Sequence, residues 1–236
     1  MSARPVSVRR AGFSLIELVT VIAVIGILLA LIVPAVGGIQ DGARKAQAAN
    51  KLRQIAQSYQ TYLQRTGGQK ALNASNAHAW AAELAERADL NVPDVWIVDE
   101  DPLVVATTAT RPGVIALPPS GDATNWTTST EFTAFPLSFA VANKLNPAAP
   151  AATTPLAWTR GLETDGTWRA EDAAKPSVYG SEGGHIVFLD GHVRFYSDLG
   201  EDGGQLQDYT SKQRTSNLLE ALSPGAEGLD MDGSAF

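Results

Sequence analysis

The chain contains no cysteine, so disulfides, thiolate metal sites and cysteine nucleophiles are excluded. It has only three histidines in 236 residues, which leaves little for an imidazole-built metal centre. Charge is sparse, at 18% of residues, and unbalanced: 18 Lys and Arg face 25 Asp and Glu, for a net charge of −7. A chain this acidic lacks the basic surface that nonspecific nucleic-acid binding requires, and nucleic acid is not an expected partner. No glycine-rich phosphate loop, no His-Glu metal motif and no nucleophile paired with a base is present, so no enzyme activity is expected.

Against this background one long hydrophobic run stands out. From Leu18 to Gln40 the chain carries 23 residues without a charge. A helix of that length covers about 35 Å at 1.5 Å per residue, enough for a hydrocarbon core of roughly 30 Å. Glu17 lies at the head of the run, with Phe13 to Ile16 extending the apolar stretch on its other side. An ionised carboxylate in lipid is costly unless something neutralises it, and that marks Glu17 as a functional residue. Arg4, Arg9 and Arg10 precede the run, while Arg44, Lys45, Lys51 and Arg53 follow it, so positive charge alone does not orient it. An ordinary secretory signal is the competing reading, with Ala35-Val36-Gly37 as its cleavage site. The run exceeds the 7–15 residues of a signal core, and a glutamate at its head is foreign to one.

The block from Gly12 through Phe13 and Glu17 resembles the class III leader and N-terminal helix of type IV pilins and type II secretion pseudopilins. The resemblance covers about 30 residues, and Gly26 and Pro34 fall where that helix often carries a glycine and a proline. It implies a cleaved leader over 1–12. A prepilin peptidase would cut between Gly12 and Phe13 and N-methylate Phe13, and Glu17 and Pro34 would act in assembly. It also implies a single-pass inner-membrane protein with its head in the periplasm, partnered by other pilin or pseudopilin subunits in a filament. Removal of three leader arginines would take the net charge to −10.

The fold expected is α+β and pilin-like: a long N-terminal helix over 13–66, membrane-spanning in its first half, packed on a small antiparallel sheet with long loops. Leu52, Ile55, Tyr59 and Leu63, with Ala49, Ala56 and Tyr62, form one apolar stripe on its second half. Gly67 and Gly68 supply the stop, and Pro34 with Gly37 and Gly38 predicts a kink or local melting. A globular head follows over 67–222, then a mobile tail over 223–236. Asn76 caps a helix over about 77–89, with Trp80, Leu84 and Ala88 on one face. Residues 95–98 read as a short buried strand, and 103–155 as loop-rich, with a short helix after Pro136. Residues 153–160 read as a strand and 212–222 as a short helix.

Asp190-Gly191, between Gly184–Leu189 and His192–Tyr196, is a strong hairpin signal. A two-residue loop would pair Phe188 with Val193 and Ile186 with Phe195, placing all four on one apolar face over the long helix. The hairpin is similar to an Asp-Gly-His-Val segment of bacterial pseudopilin-like proteins. The histidine those relatives often carry ahead of it is Gly180 in this chain. No cofactor is expected. Asp198, Glu201, Asp202 and Asp208 are candidate calcium ligands with a family precedent, although their spacing matches no standard loop, and a solvated acidic loop is the favoured reading. His185 and His192, on one face about 13 Å apart at ~3.3 Å per residue, are too distant to share an ion. His78 stands alone.

Overall fold

Residues 14–68, 71–120, 125–201 and 204–233 are described by the computed structural model, with the side chains of 31–40 left out. The long helix, α1, runs Leu15–Arg65 and is not interrupted at Pro34. The chain divides into two units, Met1–Ala46 and Gln47–Phe236.

In the first unit α1 carries no charge from Leu18 to Ala30, and the large apolar side chains at its start are bare: Leu15, Ile16, Ile22, Ile27 and Leu28 are all more than half exposed. Among the described residues no helix is long and apolar enough to cross a membrane. The described side chains of the apolar run end at Ala30. From Leu15 that length is about 24 Å of helix, against a core of roughly 30 Å. The stretch predicted to span, Leu18 to Gln40, extends beyond them.

In the second unit the predicted stripe, Ala49, Leu52, Ile55, Ala56, Tyr59, Tyr62 and Leu63, is buried, and Ala48 joins it. Each large aliphatic on it contributes about 1.5–3 kcal/mol of burial. Tyr59 stacks on Trp80 of the next helix at 5.6 Å between ring centroids, and Trp80 meets Trp96 edge-on at 5.8 Å. The helix ends at the two glycines. Gly68 N–H donates to Leu63 O (2.6 Å) and Gly67 N–H to Gln64 O (3.3 Å), with φ of 71° and 75°, a paired termination that satisfies the last carbonyls. Helix α2, Ala77–Ala88, starts at Asn76, whose side chain accepts from Ala79 N–H at 2.8 Å.

The strand predicted at 95–98 is instead a 3₁₀ turn, Pro93–Trp96. Pro93 presets the first φ, and Val95 and Ile97 N–H groups bond back to Val92 and Asp94. The middle of the chain, read as loop, holds α3 (Pro102–Ala106), β1 (Ala116–Leu117), β2 (Thr127–Thr128), α4 (Thr130–Ala134) and β3 (Phe139–Asn143). The helix expected after Pro136 lies before it, capped by Ser129, and β3 takes the place beyond.

The main sheet has five antiparallel strands in the order β6-β5-β4-β3-β9, with β4 at Pro155–Thr159, β5 at Gly184–Phe188, β6 at Val193–Tyr196 and β9 at Glu227–Leu229. Every residue of β3, β4 and β5 is buried, so these three central strands are covered on both faces. This corrects the expectation of one core face. The predicted tail is corrected too. Residues 227–229 form the edge strand, with Val141 opposite Leu229, and Asn143 Nδ2 ties β3 to Glu227 at 2.9 Å. The helix expected at 212–222 is a two-residue strand, β8 (Arg214–Thr215), paired with β7 (Leu206–Gln207), then one turn of helix, α5 (Leu218–Ala221).

The hairpin forms with its register shifted by one. Val187 faces Val193, Ile186 faces Arg194 and His185 faces Phe195. The loop has three residues. Gly191 N–H donates to Phe188 O (2.8 Å) and Phe188 N–H to His192 O (3.0 Å), with Gly191 at φ 87°, a turn closed by a glycine bulge. One face therefore carries Ile186, Phe188, His192, Arg194 and Tyr196, and the other His185, Val187, Val193 and Phe195.

Candidate functional site

The candidate site is the start of α1. Leu18 N–H donates to Ser14 O at 3.2 Å, the first bond of the helix, which places Ser14 at the cap position and Glu17 three residues inside. The Glu17 carboxylate folds back, and Ser14 N–H donates to its Oε2 at 2.8 Å. Thr20 Oγ1 donates to Glu17 O at 3.0 Å. A serine followed three residues later by a glutamate is the capping-box pattern. It satisfies a backbone donor that the helix leaves open and sets negative charge against the positive end of the helix dipole. Charge in an apolar run marks Glu17 in the sequence; this second role is separate from that charge, and the Ser14–Glu17 spacing carries its signature.

Chemically, the arrangement holds one acceptor at the mouth of an apolar helix. Around it Leu15 is 80% exposed and Ile16 68%, so the carboxylate lies within a surface that water does not favour. Gly12 and Phe13 fall outside the described residues. Pro34 lies within the helical backbone of α1, and its side chain is outside the description.

The other candidates resolve into local structure. Asp198 Oδ1 accepts from Gly200 N–H (2.6 Å), and Asp208 Oδ1 accepts from the N–H groups of Thr210 (2.8 Å) and Ser211 (2.5 Å). Glu201 Oε1 accepts from Ser197 Oγ at 3.3 Å. The Ser211 and Thr210 bonds hold the Asp208 carboxyl below its usual range. Asp202 lies outside the described residues. Among the described residues no group of three His, Cys, Asp or Glu could hold a metal ion. The two hairpin histidines lie on opposite faces of the sheet, not the same one, because the register is shifted. His185 is buried edge-on to Phe195 at 5.0 Å and Tyr179 at 5.7 Å. His192 stacks on Phe188 at 4.3 Å, with its Nδ1 2.6 Å from Asp190 Oδ1. His78 is buried with Nε2 2.9 Å from Phe135 O.

Residues 8–33 match the prokaryotic N-terminal methylation motif, the class III prepilin leader of type IV pilins and pseudopilins. The match contains the Gly12–Phe13 junction, the Ser14–Glu17 cap and most of the exposed apolar helix. Such a leader suggests a membrane-anchored, non-enzymatic pilin-like protein that is processed by prepilin peptidase and assembles with other pilin subunits. Comparison with curated proteins and with solved structures finds no match.

Proposed function

We propose that this chain is a structural subunit of a type II secretion pseudopilus or a type IV pilus-like filament. The leader match over 8–33 carries the reading. The bare apolar flank of α1 supports it, since such a surface needs lipid or other helices to cover it. In this reading the peptidase cuts between Gly12 and Phe13 and methylates the new amine. The helix from Phe13 holds the precursor in the inner membrane with the head in the periplasm, and subunits then pack helix against helix. Glu17 of an incoming subunit pairs with the amine of its neighbour, an attraction that grows as water is excluded. Pro34 provides a weak point in the helix at which subunits adjust to one another.

The test is the N-terminus of the protein taken from membranes, by intact mass and terminal peptide sequencing. A start at Phe13 with one added methyl group is expected. A start at Gly38 would make this a secreted protein with an ordinary signal and would end the filament reading.

A second reading is a minor pilin that binds a substrate or surface through the middle of the chain. An open groove of about 430 Å³, lined by Leu103, Ala106, Thr107 and Thr133 to Pro136 together with His78, Met231 and Asp232, lies partly in that region and favours it. Ligand-dependent crosslinking to residues 103–155 is its mark.

A further inference from the structure

A cleft of about 420 Å³ opens between the face of β6 that carries His192, Arg194 and Tyr196 and a wall built by β7 and β8. That volume falls within the roughly 300–1,000 Å³ of small-molecule sites. The two walls follow from local structure. Residues 192, 194 and 196 alternate along one chain segment and share a face, as do Gln205 and Gln207, and Arg214 stands opposite Gln207 on β8. A Cβ at Gly204 would lie 2.5 Å from the Thr215 carbonyl carbon, so glycine is what lets the chain enter β7 this close to β8.

The charged side chains of the lining already have partners in the chain. Arg194 lies over the Tyr196 ring at 5.1 Å from its centroid. The Lys212 ammonium donates to Tyr209 O, lies 4.7 Å from that ring's centroid and is attracted by the Asp208 carboxylate. His192 Nδ1 is 2.6 Å from Asp190 Oδ1, and Arg214 has an interaction of its own. A charged ligand would have to displace bonds that the chain has made, so the cleft favours a neutral one. Its amides are fixed in the same way. Gln205 Nε2 donates to Glu201 O at 3.2 Å and Gln207 Nε2 to Lys212 O at 3.3 Å. An amide carries two N–H donors and an accepting oxygen, so one such bond sets its plane without exhausting it.

We infer that this cleft binds a neutral carbohydrate. A sugar hydroxyl both donates and accepts, as a glutamine amide does, and Gln205, Gln207 and Gln213 all line the cleft. The C–H faces of a sugar ring are apolar and need flat apolar surface. Phe188 and Tyr196 are buried in the lining, and the His192 ring lies parallel to Phe188 at 4.3 Å with 6° between the planes. An apolar ligand would leave the amides without partners. A peptide strand would seek an open sheet edge, whereas these side chains stand on strand faces. The inference does not depend on filament assembly, because the cleft lies within one chain.

The test uses the full-length protein in lauryldimethylamine oxide micelles, a detergent without a sugar head group. Fluorescein-labelled cellohexaose, chitohexaose and maltohexaose are titrated and followed by anisotropy. Saturable binding of at least one is expected, and added salt should leave it unchanged because no charge pairing is involved. Gln205→Ala with Gln207→Ala should weaken binding about tenfold at an unchanged urea midpoint. Gln54→Ala with Gln57→Ala, on α1 and outside the lining, should bind as the wild type does. Absence of binding by all three sugars, or equal binding by the wild type and the cleft variant, would overturn the inference. Binding that collapses on added salt would assign the cleft to a charged ligand, and displacement of the sugar by hexaglutamine would assign it to a peptide. Either result would overturn the carbohydrate assignment.

Discussion

Arg160, just after β4, is 1% exposed, and its partner Asp101 is fully buried. Nη2 donates to Asp101 Oδ1 at 2.5 Å, Nε to Leu137 O at 3.1 Å and Nη1 to Pro176 O at 2.5 Å. The same Asp101 oxygen accepts from Leu103 N–H at 3.0 Å and caps α3. One guanidinium thus ties three separate segments to the end of a central strand. Arg160→Met keeps much of the apolar stem but strands a carboxylate in a dry site and unpairs two carbonyls. Removing one partner of a buried pair costs about 3–5 kcal/mol, and each carbonyl left without a donor adds up to about 1–3, not additively. A loss near 5 kcal/mol would consume much of the roughly 5–15 kcal/mol that holds a domain folded. Arg160→Met with Asp101→Leu removes the stranded charge and should recover at least about 2 kcal/mol of that loss. Urea unfolding in fixed detergent, read by tryptophan fluorescence, reports on the correct unit, since Trp80, Trp96, Trp126, Trp158 and Trp168 all lie in it. The slope of free energy against urea should stay constant while the midpoint moves. A single variant that loses less than about 1 kcal/mol, or a double variant no better than the single, would refute the argument.

Two further expectations follow from other parts of the molecule. Glu17→Gln and Glu17→Ala should both be cleaved yet fail to enter filaments, as scored by the assembled fraction, and recruitment of either at the wild-type level would remove Glu17's charge from assembly. In acid, stability should fall. The Arg65 hydrogen bond holds the Asp89 carboxyl below 3.8, and those of Lys144 and Asn143 hold Glu227 below 4.5. A carboxyl whose folded value is depressed adds stability above its unfolded value and loses it as pH drops through the folded one. The urea midpoint should therefore be level near neutrality and decline below about pH 4.5, and Glu227→Gln should flatten that decline, whereas a midpoint that rises on acidification would contradict both assignments.

How much of this was legible in the sequence differs from element to element. The stripe on α1, the double-glycine stop and the Asn76 cap were readable because each is local: a spacing, a φ requirement or one side-chain oxygen. The hairpin was visible but its register was not. Asp-Gly suits a two-residue turn and also the end of a three-residue loop. The choice falls to the longer loop, in which Asp190 can accept from His192 N–H and Gly191 forms the bulge. The shift of one residue moved the side chains of β6 to the other face relative to those of β5 and separated the two histidines. β3 escaped notice because Phe139–Asn143 is buried on both faces, so no alternation announces it, and a central strand needs partners that lie far along the chain. The tail conceals its strand for the same reason. Glu227–Leu229 is short and polar at one end, and it becomes a strand only where β3 offers it an edge.

The cap on α1 bears on how Glu17 could serve assembly. A carboxylate that lay bare in an apolar environment would carry a heavy cost before any partner arrived. In this chain Ser14 N–H already engages one oxygen, so the side chain has a partner from its own backbone and is turned toward the end of the helix. That donor is neutral, and a protonated amine offers a stronger, charge-assisted bond. In the proposed filament the neighbour's amine therefore competes with a weak internal donor and not with water. Glutamine can make the same internal bond as glutamate, since either residue completes a capping box. Glu17→Gln thus retains the helix start and removes only the charge, while Glu17→Ala removes both. If assembly fails equally in the two, charge pairing is the requirement. If glutamine restores assembly where alanine does not, Glu17 acts by shaping the helix start, and the pairing proposed for it is wrong.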